Sequence, residues 1–68
     1  MKERFENLIG NTYTSLFRLE QEMTQIRGEI VLGGDFKGNT NIYEFRFSNV
    51  TLEVGKVSDN EWIVLDVY

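Results

Sequence analysis

Cysteine, histidine and proline are all absent from this chain. Without cysteine there is no disulfide, no thiol nucleophile and no iron–sulfur cluster. Without histidine there is no imidazole base, and zinc sites of the usual nitrogen and sulfur type are excluded as well. Catalysis would have to rest on Asp, Glu, Tyr or Lys alone, and metal binding on carboxylates suited to calcium or magnesium. No Ser or Thr has an evident base partner. We therefore expect neither an enzyme nor a cofactor.

Long apolar runs are missing too. No stretch approaches the roughly 18 apolar residues of a membrane span. The opening Met1-Lys2-Glu3-Arg4-Phe5-Glu6 leads into no signal-peptide core. The expectation is a cytoplasmic protein with no membrane attachment, and Asn49-Val50-Thr51, a glycosylation acceptor by pattern, is read as chance. An excess of positive charge is likewise lacking, the net charge being −4. Residues 1–47 carry seven acids and six bases, whereas residues 48–68 carry Glu53, Asp59, Glu61 and Asp66 against Lys56 alone. Nucleic-acid binders draw most of their affinity from neutralising phosphates, so direct DNA or RNA binding is disfavoured.

What is present is an ordinary globular composition, 41% apolar and 26% charged, over 68 residues, which makes one domain spanning residues 1–68. A domain this small buries only roughly 60% of its unfolded surface. With disulfides and zinc excluded, regular packing, self-association or a partner must supply the remaining stability.

Pattern divides the chain. Phe5, Leu8 and Ile9 fall at helical spacing within Lys2 to Ile9, and Gly10-Asn11 marks a stop. Residues 12–27 fit two readings. As a helix, Leu16, Leu19, Met23 and Ile26 share a face, Ser15 caps the start and Arg27-Gly28 ends it. As a strand, Tyr13, Phe17, Leu19 and Met23 share a parity. The good helix formers of 19–23 favour the helix. Beyond it, alternation predicts four strands. Ile26, Gly28, Ile30 and Leu32 lie opposite Gln25, Arg27 and Glu29, and Tyr43, Phe45 and Phe47 alternate with Ile42, Glu44 and Arg46. Val50, Leu52 and Val54 follow, and Glu61 to Tyr68 comes last, after the turn Ser58-Asp59-Asn60. Gly33 to Asn39 reads as a loop, and its glycines suit a wide turn better than a phosphate cradle.

The expected fold is α+β: one or two N-terminal helices packed on a four-stranded antiparallel β-meander. The alternative, with residues 12–22 as a strand, is a five-stranded barrel-like all-β domain with a short N-terminal helix.

Function is then sought at surfaces. Glu44 and Glu53 can meet across adjacent strands, although both face solvent by parity. The sheet aromatics have only Lys37, Arg46 and Lys56 nearby, too few bases for a nucleic-acid stacking platform. The last strand is apolar on both sides, which is unexpected in an antiparallel sheet with one wet face. Trp62, Val64, Asp66 and Tyr68 share one parity there, flanked by Asp59 and Glu61, and Phe36 sits mid-loop as a second anchor or as part of the core. An apolar centre with an acidic rim suits a locally basic protein partner. The expectation is a non-catalytic binding module, an adaptor or inhibitor, in a sharper version occupying the nucleic-acid site of a DNA- or RNA-handling protein. A homodimer through the same face or an exposed edge strand competes with it, as does simple covering of that face by the N-terminal helices.

Overall fold

The computed structural model describes residues 2–38 and 41–68, with side chains from Phe5 onward. A 3₁₀ segment, Lys2–Leu8, leads into the short strand β1, Thr12–Tyr13. Helix α1 runs over Leu16–Gln21 and continues as a π-type turn, Glu22–Ile26. Strands β2 (Val31–Phe36), β3 (Ile42–Phe47), β4 (Thr51–Ser58) and β5 (Glu61–Val67) follow. All five strands form one open antiparallel sheet in the order β1-β5-β4-β3-β2. The expected meander of four strands is present as β2 to β5. Among the described residues the strand count is five rather than four, because Thr12–Tyr13 pairs with Ile63 and Trp62 and places β5 inside the sheet. The sheet is not closed into a barrel.

Ser15 caps α1 as its position suggests, its hydroxyl accepting from the Arg18 N–H at 3.2 Å. Leu19 and Met23 are fully buried, and Phe5 and Leu8 of the 3₁₀ segment join them over one face of the sheet. The four-residue spacing stops there. The Arg27 N–H bonds to the Glu22 carbonyl, five residues back, and the wider turn rotates Ile26 off the core face, leaving it 78% exposed. Gly28, at φ 72°, then reverses the chain, and the Glu29 N–H closes on the Met23 carbonyl.

The sheet face under these helices carries Phe45, Phe47, Leu52, Val54, Trp62, Val64 and Val67. Three bulges decide which side chains reach it. Register slips by one residue at Leu32 in β2, Val57 in β4 and Leu65 in β5. Each extra residue is an exposed large hydrophobe, so the bulges carry side chains that the alternation cannot place inside.

Two strand expectations are corrected accordingly. Residues 26–30 lie outside β2, and Val31 packs against the core in place of Ile30 and Leu32, which are exposed. Gly33 to Phe36, read from sequence as loop, are strand. Gly34 is required there because the Tyr43 ring lies across it, and a Cβ at that position would come within 2.5 Å of the Tyr43 hydroxyl. Asn39, at the far end of the expected loop, and Thr40 after it lie outside the described residues.

Glu29 is a further correction. Placed on a solvent face by alternation, it is only 4% exposed. Its carboxylate accepts from the Ser48 hydroxyl at 2.8 Å, the Asn49 N–H at 3.0 Å and the Asn49 side-chain amide, tying the end of the helix to the β3–β4 turn. Charge-assisted bonds of this kind are among the stronger ones available to a buried carboxylate.

Candidate functional site

The last strand does not present the surface expected of it. Trp62 and Val64 point into the core and are buried. The Leu65 bulge then shifts the parity, so that Leu65 and Asp66 both face outward, Val67 returns to the core, and Tyr68 faces outward again. Trp62 and Val64 therefore lie on the opposite side of the sheet from Asp66 and Tyr68. Asp59 and Glu61 sit at the β4–β5 turn, where Asp59 pairs with Lys56 at 3.4 Å. Six strand residues separate Glu61 from Tyr68, a distance of roughly 20 Å. Phe36, at the end of β2, packs edge-on against Tyr43 with ring centroids 5.0 Å apart and remains 46% exposed.

The uncovered face of the sheet collects a different set of residues. Asp35 is the register partner of Glu44, Glu44 of Glu53, and Glu53 of Asp66. Neighbouring strands lie 4.7–4.9 Å apart, so four carboxyl-bearing residues cross β2, β3, β4 and β5 in one row about 14 Å long. Like charges directly opposite one another destabilise a sheet. Three groups moderate the repulsion. Arg46 lies 3.5 Å from Glu44, and Lys37 lies 3.7 Å from Glu53. The Tyr68 hydroxyl donates to Glu44 at 2.8 Å, and Lys37 in turn donates to that hydroxyl at 3.4 Å with its ammonium 5.8 Å from the ring centre.

These contacts shift two proton affinities. The hydrogen bond to Glu44, with some burial, raises the Tyr68 phenol above its ordinary value of 10.0, the bond from Lys37 opposing it. The bond to Tyr68, supported by the charge of Glu53, raises the Lys37 ammonium above 10.5. Both groups therefore hold their protons at neutral pH. No three of the acids converge as metal ligands among the described residues. Those residues also enclose no cavity and include no helix long and apolar enough to cross a membrane.

Sequence reasoning anticipated the meeting of Glu44 and Glu53 but not the row. The Ser48-Asn49 turn, closed by the Phe47 N–H on the Val50 carbonyl at 2.8 Å, sets the β3–β4 register, so that pair was readable. Asp66 joins only because of the Leu65 bulge, and Asp35 only because β2 extends through the glycines. The chain matches no protein-family model, no curated protein and no solved structure.

Proposed function

We propose that this protein is a non-catalytic binding module that docks on a locally basic protein surface through the row Asp35, Glu44, Glu53 and Asp66, with Tyr68 as its aromatic contact. The reading rests on one observation, the alignment of four carboxyl-bearing residues across an open sheet face. Tyr68 supports it, being 42% exposed and held in place by Glu44 and Lys37. An aromatic side chain fixed in this way adds contact area with little loss of rotamer freedom. A flat face offers a partner breadth rather than depth, as an adaptor or inhibitor needs. A row of regularly spaced negative charges also suits the cationic groove of a DNA- or RNA-handling protein, which is the sharper form of the proposal.

The test is capture of partners from nuclease-treated lysate with the wild type, with Glu53→Lys/Asp66→Lys, and with Asp59→Lys/Glu61→Lys at the far turn. The row variant should lose the captured partner and the turn variant keep it, and binding to the wild type should weaken as salt rises. Loss through the turn variant alone would move the site to Asp59 and Glu61, and salt-independent capture would remove the electrostatic basis. Displacement of the partner by added DNA or RNA would favour the nucleic-acid-groove form. Capture of nothing but the protein itself would favour the alternative, a structural homo-oligomer.

A further inference from the structure

A five-stranded open sheet has two edges, and an edge strand offers main-chain N–H and C=O groups to any further strand. Along β2 this exposure is pronounced. Its outer side pairs with no strand among the described residues, and Ile30, Leu32 and Phe36 add exposed apolar surface beside it. These features together favour edge-to-edge pairing with a second copy.

Hydrogen-bond alternation identifies which groups face outward. The Lys37 N–H bonds to the Ile42 carbonyl of β3 at 2.9 Å. In an antiparallel pair, alternate residues turn toward the partner strand, so the N–H of Phe36 points to the open edge. That N–H is already taken, since the Asp35 carboxylate accepts it at 2.8 Å. The same arrangement recurs on β5 beyond the end of β1. Tyr68 exchanges both of its main-chain bonds with Thr51 of β4, which turns the Val67 N–H away from β4, and the Asp66 carboxylate accepts it at 2.8 Å.

We propose that Asp35 and Asp66 are edge guards: each carboxylate occupies one of the N–H groups that its strand turns outward, Gly34 supplying the other on β2 by the same alternation, and sets a negative charge beside it, so that the sheet does not extend into a second copy. Asp35 carries the larger share because β2 is the apolar edge, whereas the N-terminal 3₁₀ segment packs beside β5. An incoming strand would have to displace the carboxylate and leave it desolvated next to a carbonyl, which opposes pairing twice over. The bulge at Leu32 acts in the same direction by breaking the regular spacing of the edge.

The full-length wild type, Asp35→Ala, Asp66→Ala and Asp35→Asn are compared by light scattering across micromolar to millimolar concentration, with circular dichroism and thermal melts confirming that each variant is folded. The wild type should remain monomeric. Asp35→Ala, which loses both acceptor and charge, should rise with concentration to at least twice the monomer mass, and Asp66→Ala should do so more weakly. Asp35→Asn keeps an acceptor oxygen and should stay close to the wild type. Adding Leu32→Lys to Asp35→Ala should restore the monomer by placing a charge on the same edge. A folded Asp35→Ala that stays monomeric would overturn the proposal, as would a wild type that already pairs through β2. Association of Asp35→Asn to the same extent as Asp35→Ala would show charge alone at work and overturn the hydrogen-bonded guard.

Discussion

At the scale of single residues, Tyr13 departs furthest from what its surroundings supply. Its buried hydroxyl makes no hydrogen bond of good geometry, although Asn11 and Glu22 lie close enough to influence its proton. Burial, and then the nearby charge of Glu22, raise its pKa above 10.0. A buried hydroxyl with such poorly aligned partners costs stability, whereas the ring itself packs against the core. Tyr13→Phe should therefore raise the stability measured by urea unfolding by about 1 kcal/mol. The pH dependence follows in sign. For a group whose folded pKa lies above its unfolded one, the contribution is fully present below the unfolded value and lost as pH rises through the folded value. Tyr13, Tyr68 and Lys37 all belong to that class. Wild-type stability should accordingly fall as pH climbs above about 10, and the slope in that window should be shallower in Tyr13→Phe. An equal slope in the two proteins would remove Tyr13 from the account.

At the scale of elements, the helix shows where pattern reading succeeds and where it stops. Leu19 and Met23 were legible because α-helical spacing holds from Ser15 to Met23. Ile26 was not, because the π-type turn inserts one residue into the count. Met23→Ala should cost about 2–5 kcal/mol by thermal or urea unfolding, whereas Ile26→Gln should change stability by less than about 0.5 kcal/mol. A large loss at Ile26 would mean that its face is covered in solution. The strands divide the same way. β3 and the first part of β4, with their regular alternation and short turn, were readable in both register and facing. β2 and β5 were not, since a bulge reverses the parity on which any reading of faces depends. The candidate site suffered most, because Trp62, Val64, Asp66 and Tyr68 look like one surface in sequence and belong to two in the fold. Glu29 escaped for another reason, since a carboxylate flanked by alternating residues gives no sign that the Ser48-Asn49 turn will fold over it.

At the scale of the whole molecule, the acidic row sets stability against the binding proposed for it. Asp66→Asn keeps the oxygen that accepts the Val67 N–H but removes the charge facing Glu53. It should stabilise the fold by about 0.2–1 kcal/mol, while weakening capture of a basic partner. Added sodium chloride should raise the melting temperature of the wild type more than that of Asp66→Asn, since less repulsion is left to screen. Identical salt responses would show that Lys37 and Arg46 already neutralise the row. The three bulges bear on how such a chain tolerates change in length. Leu32, Val57 and Leu65 are each one residue more than a regular ladder needs, so removing any of them leaves the remaining side chains of its strand on their present faces. Single-residue deletions usually turn a strand inside out, yet here three positions inside strands can accept one. Any change of length that this fold accepts inside β2, β4 or β5 is therefore expected at Leu32, Val57 and Leu65.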